Sequence, residues 1–381
     1  MSGELPLAGI SVFELGSNVA GPYGTWILAE LGANVIKVER QGGDDARSWG
    51  PPFWQGIGTI FHSVNRNKQS IEVDLKDPRE VQALRQRIFD EGDVLLQNLR
   101  PGAAKRLGLS AENFLPKKPE LIYCNLTAFG AEGPMKDRPG YDALVQAFGG
   151  IISVTGQKGQ APARCGVSVI DMGTGMWCAM GILAALNRRN STGRGGVVDT
   201  SLFETAMAWM TFYGLDYQVT GEVPQGRGTG IRGVVPYQAY SCSNGFLIIA
   251  APNDRLFAKL SQTLGHPEWA EDDRFLNSPQ RDRHHEELNK MIEAVVVRAP
   301  REEWQAKLDE AGIPNAPIQS IKEVLEHPQT EALGMAQSTE DPKVKLFGLP
   351  LSFDGIRPPL RNTAPSLKKN MHEKIDDGER N

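Results

Sequence analysis

The chain has 381 residues, 40% of them hydrophobic and 23% charged, with a formal net charge of −5. Such a length exceeds one ordinary core and predicts two domains, and the acidic balance argues against a general nucleic-acid binder. The four cysteines show no C-x-x-C pairing or metal-ligand spacing and no signal peptide is visible, which reads as a reduced, cytoplasmic protein.

In chain order, residues 10–15 read as strand, 23–31 as helix behind Gly21-Pro22, and 34–39 as strand. Strand, helix and strand within about thirty residues make a βαβ unit with parallel pairing. The pattern repeats as strand 70–75, helix 78–91 and strand 93–99. It continues as strand 121–127, helix 141–148 and strand 197–201. This alternation predicts an α/β chain whose first half is a doubly wound, Rossmann-like domain.

Residues 165–186, CGVSVIDMGTGMWCAMGILAAL, place one carboxylate, Asp171, in an otherwise uncharged run. Burying a carboxylate is costly unless it is paired, hydrogen-bonded or put to chemical use. Residues 167–170 read as a short strand and 172 onward as an apolar helix, so Asp171 fits a helix cap at the junction. The cap is the plainer reading of the local sequence, and a carboxylate nucleophile in a dry site can coexist with it. The longest apolar run, 176–186, is too short to span a bilayer.

Composition shifts at 221–233, GEVPQGRGTGIRG, which marks a boundary or mobile loop. Its 228–233 segment matches G-x-G-x-x-G, but no strand precedes it and no helix follows, so a dinucleotide fingerprint fails on context. A flap or a linker fits better. Arg227 and Arg232 in it hint at a dicarboxylate substrate. Beyond it, strands 237–242 and 246–251 around Ser243-Asn244-Gly245 read as a hairpin. Helices 254–264, 283–297 and 301–311 complete a smaller α+β domain at 221–329. His284-His285-Glu286-Glu287 lacks the spacing that puts two ligands on one helix face, so no metal site is expected. The polar tail, 370–381, reads as frayed.

Four segments in this order and spacing resemble the class III CoA-transferases: LGSNVAGPYGTWILAELGANVIKVER, VLLQNLRPGAAKRLGL, FGAEGPMKDRPGYDALVQAFGG, and CGVSVIDMGTGM leading into GILAALNRRNSTGRGG. The resemblance covers residues 7–361. It implies that the large domain, 1–220, is completed by 330–381. It also implies a ring-shaped chain that interlocks with a second copy as a homodimer, with no nucleic-acid or membrane partner. Coenzyme A and acyl-CoA would be substrates, together with a free carboxylic acid, and no cofactor would be permanently bound.

Carried over by position, the resemblance makes Asp171 the nucleophile. Val19 and Ala20 would touch the thiol end and acyl group. Arg40, Val73 and Lys76 would meet the adenosine and phosphate end, Asn98 and Leu99 the pantetheine, and Arg106 a phosphate. Tyr141 and Asp142 would border the thioester. Three positions depart from the family pattern. Val19 replaces a frequent glutamine, Gly230-Ile231-Arg232-Gly233 replaces G-N-x-H-P, and Lys368-Lys369-Asn370-Met371-His372 replaces a G-E-H-T-like tail.

A carboxylate nucleophile suits CoA transfer because the acceptor is itself a carboxylate. Water must be excluded from its covalent intermediates, and N–H groups at the helix start and the glycine-rich flap would hold the oxyanion. An α-methylacyl-CoA racemase is the enzymatic alternative. It needs a histidine where Tyr141 stands, and a phenol with a pKa of about 10 is a poor base at neutral pH. A non-catalytic CoA-binding subunit is the remaining one.

Overall fold

The computed structural model describes residues 5–367, so the expectations for 368–381 lie outside the described residues. Six strands form the main sheet: β1 (Ser11–Leu15), β2 (Asn34–Glu39), β3 (Lys68–Glu72), β4 (Val94–Gln97), β5 (Ile122–Thr127) and β6 (Gly196–Ser201). Their spatial order is β3-β2-β1-β4-β5-β6, and every pairing is parallel. The order reverses between β1 and β4. In doubly wound sheets the loops leaving the C-terminal ends of two such strands border the ligand crevice.

The central strands β1 and β4 are mostly apolar and buried, as strands covered by helices on both faces are. Alternation sends Val12 one way and Phe13 the other. Val12, Val94 and Ile122 join a core with Trp26, Leu28 and Ile182, whereas Phe13, Ile36 and Leu95 join one with Leu84, Ile88 and Phe114. The helices that matter for the site are α1 (Ala20–Glu30), α2 (Pro78–Glu91), α3 (Asp142–Phe148), α4 (Val169–Thr192), α5 (Leu202–Trp209) and α6 (Thr211–Thr220). α2 begins as its sequence demands, with Pro78 in the first turn and the Asp77 side chain accepting the Arg79 N–H.

Two of the boundaries that differ from the sequence reading lie next to the site. α1 starts at Ala20 rather than beyond Pro22, because a proline in the first turn sacrifices no helical hydrogen bond. Residues 167–170 are not a strand: α4 already begins at Val169. At 24 residues, α4 is long and apolar enough to cross a membrane by length and composition. Here it is a core helix packed on α1, with Gly24 against Gly175 and Cys178.

The chain divides into two compact units. The first takes the chain up to Ile151, then Arg164–Leu215 and the segment from Pro328 onward; the second takes Ile152–Ala163 and Asp216–His327. In the second, β7 (Tyr237–Cys242), β8 (Gly245–Ala250) and β9 (Asn315–Pro317) form an antiparallel sheet. Helices α7 (Asp254–Thr263), α8 (His285–Val296) and α9 (Arg301–Glu310) pack Phe257, Ile292 and Trp304 against Tyr240 and Leu247. The helix expected at 283–297 is broken at His284, where a separate turn, Ser278–Arg283, ends.

Candidate active site

Asp171 lies within the first turn of α4, not at its cap. The cap residue is Ser168, whose side chain makes no capping bond. The capping carboxylate comes from Asp142, the first residue of α3. One of its oxygens accepts the N–H of Ile170 at 2.9 Å and of Asp171 at 3.2 Å. The other accepts from Gln146 Nε2 at 2.6 Å and lies 3.5 Å from the Arg164 guanidinium. Gln146 Oε1 in turn accepts the Cys165 N–H at 2.9 Å.

This arrangement corrects two expectations. Asp171 is not needed as a cap, so its own carboxylate is free for other work. The start of α4 also offers no oxyanion donors. Asp142 holds the N–H groups of Ile170 and Asp171, while those of Val169 and Met172 bond to Val167 O and Ser168 O. Asp171 is half-buried. Burial first, and the negative charge of Asp142 second, push its carboxyl up to about 7. Near neutral pH it can therefore exist in either form.

The β1–α1 turn reaches α4 through two glycines. A Cβ on Gly175 would stand 2.6 Å from Ala20 O and 2.8 Å from Gly24 N, so only glycine lets the helices touch there. Asp171 is four residues before Gly175 and shares its helix face. At Gly175 that face meets Ala20, the first residue of α1, which follows the cap residue Val19.

Across the crevice, the Asn98 side chain accepts the Ser17 N–H and donates to Ser17 O, both at 3.0 Å. Leu99 N–H is held by Gln97 Oε1 at 2.9 Å. The fold thus gathers Val19, Ala20, Asn98, Leu99, Asp142 and Asp171 at the end of the sheet where β1 and β4 part. Tyr141 precedes Asp142 and is 58% exposed.

The other candidates follow β2, β3 and β4, Arg106 on the short helix Ala103–Arg106, and among the described residues they make no hydrogen bond or ion pair with that group. Val73 is fully buried and its N–H bonds to Glu39 O. Arg40 is exposed and engaged with Asp45 and Gly43 O. Lys76 and Arg106 are exposed, and among the described residues neither forms an ion pair.

Sequence reasoning missed a buried ionic cluster beneath the turn. Glu14 on β1 takes Lys37 of β2 on one oxygen and Lys68 of β3 on the other, both at 2.8 Å. Lys37 also reaches Asp44 at 2.8 Å. Against the cost of burial, the two lysines hold Glu14 down to about 2. Burial presses on both ammoniums. It lowers Lys68 to about 8, but for Lys37 the carboxylates of Glu14 and Asp44 outweigh it and its pKa is raised. The signal was available: Glu14 inside the otherwise apolar SVFEL, and Lys37 and Glu39 inside NVIKVE.

In the second unit the glycine-rich segment is no nucleotide loop. Arg227–Gly228 pairs antiparallel with Gly156–Gln157, and no helix follows. Arg227 bonds to Asp282 at 2.6 Å and Arg232 to Glu222 at 2.7 Å. Both arginines are therefore already paired with carboxylates inside their own unit.

The model of CoA-transferase family III matches residues 7–372. A Mus musculus succinyl-CoA:glutarate CoA-transferase is 37% identical over 346 residues, 91% of this chain and 79% of that protein. A succinate–glutarate CoA-transferase of Agrobacterium fabrum is 34% identical, covering 97% and 94%. The crystal structure of a CAIB/BAIF family protein from Brucella suis superposes with a TM-score of 0.86 at 35% identity, over 96% and 97% of the chains.

Proposed function

This chain belongs to CoA-transferase family III, and from that premise we propose that Asp171 is the nucleophile of a transfer of CoA between two dicarboxylic acids. The observation that carries the reading is Asp171 itself. It is a half-buried carboxylate with no capping duty, raised to about 7 and one helical turn before Gly175, where α4 meets Ala20 of α1.

The ionised Asp171 attacks the thioester carbonyl and expels the CoA thiolate, leaving a mixed anhydride. The thiolate then attacks the aspartyl carbonyl of that anhydride. The donor acid departs as its carboxylate and an aspartyl-CoA thioester remains. The acceptor carboxylate runs the same two steps in reverse. No water or net proton is consumed, and the energy of the acyl bond is kept.

Val19, Ala20 and Asp142 would border the acyl end, with Tyr141 beside it. Asn98 and Leu99 would line the pantetheine, and Val73, Arg40, Lys76 and Arg106 the nucleotide. Support for dicarboxylates comes from the succinate and glutarate in the names of the two relatives. A local cation fits that class: the Arg164 side chain is 47% exposed and its ion pair with Asp142 is long, at 3.5 Å.

Two copies would assemble, by interlocking as in the family. Helix α6 supports this, since none of its residues is buried and it exposes Phe212, Leu215 and Val219 at 76%, 60% and 76%. Apolar surface of this extent marks an interaction site. Light scattering should give a dimer mass; a stable monomer at micromolar concentration would remove that part of the reading.

The test of the nucleophile is covalent. Incubation with succinyl-CoA alone should leave a CoA-sized adduct on the peptide containing Asp171, released by hydroxylamine. Asp171→Ala should bind CoA but transfer none, and substantial turnover by that variant would sink the assignment.

A further inference from the structure

We propose that Lys37 and Asp44 are positioning residues for the transfer, locking the β1–α1 turn in the conformation that sets the acyl end against Asp171. The proposal rests on the reading of Asp171 as nucleophile and of this turn as the lining of the acyl end.

Every hydrogen of the Lys37 ammonium is committed: to Glu14 at 2.8 Å, to Asp44 at 2.8 Å, and to the Gly16 carbonyl at 2.8 Å. Asp44 spans the next residue of interest, with both oxygens 3.2 Å from the Asn18 N–H. It also accepts the Ala46 N–H at 3.0 Å, which ties the turn to the segment following β2. Asn18 has φ +67°, a region that residues other than glycine seldom occupy. Its own side-chain oxygen is buried and has no partner among the described residues, so the hold on this backbone comes from Asp44. Further along, Lys68 donates to the Pro22 carbonyl at 2.8 Å.

Sheet stability is the plainer account of such a cluster, and it is a weak one. Buried ion pairs are often matched or bettered by apolar residues of similar volume, because desolvation cancels most of the attraction. What an apolar replacement could not supply is the pair of directed bonds to Gly16 O and Asn18 N. Those atoms flank Ser17, which Asn98 holds from the opposite loop. The ionic cluster and Asn98 thus hold the turn from both sides at three successive residues. Reactions between held groups are sensitive to displacements of about 1 Å, which cost on the order of 100-fold in rate.

The experiment uses the full-length enzyme, with Asp44→Asn and Lys37→Met measured alongside the wild type. Three quantities are read: the unfolding midpoint, CoA affinity by calorimetry, and the single-turnover rate of adduct formation on Asp171 from succinyl-CoA. Asp44→Asn keeps the shape and one acceptor oxygen but loses the charge facing Lys37. The expected result is a folded protein with CoA affinity within about twofold and adduct formation slowed roughly 10- to 100-fold. Adduct formation at the wild-type rate in either folded variant overturns the proposal. So does failure of both variants to fold, which would assign the cluster to folding alone. Absence of any adduct in the wild type would instead remove the nucleophile reading, and this proposal with it.

Discussion

The carboxylate of Asp142 accepts the backbone N–H of Asp171 at 3.2 Å, while its charge opposes ionisation of the Asp171 side chain. One residue thus fixes where the second carboxylate stands and when it is charged. Arg164 lies 3.5 Å from the far oxygen of Asp142 and moderates that charge from the solvent side.

Asp142→Asn separates the two effects. The amide oxygen still accepts from the start of α4, but the negative charge is gone. Burial, the larger cause, keeps the Asp171 carboxyl above the ordinary aspartate range, while loss of the smaller cause brings it below about 7. Attack requires the ionised form, so the acid limb of the kcat/KM profile should move to lower pH. A limb that stays in place would mean that the Asp142 charge does not reach the nucleophile.

Asp171→Asn should exchange activity for stability in a pH-dependent way. The folded carboxyl is raised from 3.8 to about 7, so the native state binds the extra proton between those values. Stability from this group is present at low pH and lost as pH rises through 7. At pH 8 the asparagine variant should unfold at higher denaturant than the wild type, by about 2 kcal/mol once partial exposure is discounted. At pH 4, close to the ordinary aspartate value of 3.8, the two should nearly coincide. An equal gain at both pH values would exclude ionisation of Asp171 as its source.

The fold was legible where local chemistry decided it. Residues 34–39 and 78–91 were read with the boundaries the structure has, since strand alternation and the Asp77-Pro78 start are contained in a few neighbouring residues. Strand β3 was placed two residues late, at 70 rather than Lys68. A lysine argues against a buried strand until Glu14, 54 positions away, is known to receive it. Asp171 stood out in the sequence because it was alone in apolar surroundings. Its partner Asp142, 29 positions earlier, reached the candidate list only through resemblance, because nothing local joins the two. The strand order and the ionic cluster are likewise properties of pairing between distant segments.

Gly175→Ala tests the seam that carries the β1–α1 turn to the nucleophile. The added methyl would meet Ala20 O at 2.6 Å and Gly24 N at 2.8 Å, both backbone atoms that cannot rotate aside. Helices α1 and α4 must separate, at a cost of about 1–3 kcal/mol for overpacking. Activity per folded molecule should fall as well, because Val19 and Ala20 move with α1. Destabilisation with full specific activity would uncouple that contact from catalysis.

Arg106→Ala should weaken acyl-CoA more than Arg40→Ala. The Arg106 side chain is exposed and forms no ion pair among the described residues, whereas Arg40 is already engaged by Asp45 and Gly43 O and must exchange those partners for a phosphate. Losing one charged hydrogen bond raises KM by an amount equivalent to about 1–3 kcal/mol, with kcat changing less. Steady-state kinetics in succinyl-CoA gives both values, and unchanged KM in both variants would place the nucleotide elsewhere.

Arg164 carries the prediction for substrate choice. Arg227 and Arg232, the arginines that the sequence offered for a second carboxylate, are bonded to Asp282 and Glu222. Asp142 keeps its Gln146 and backbone partners without Arg164, so the guanidinium can turn to a substrate anion at small cost. Arg164→Gln should therefore lower kcat/KM for glutarate or succinate as acceptor by roughly 10-fold or more, the size expected of a lost charged hydrogen bond. Butyrate, which lacks the distal carboxylate, should be affected far less. Removing the cation also leaves the charge of Asp142 less balanced, and that effect would weigh equally on both acids. An equal loss for succinate and butyrate would thus assign Arg164 to Asp142 and Asp171, and no loss for either would leave it outside the site.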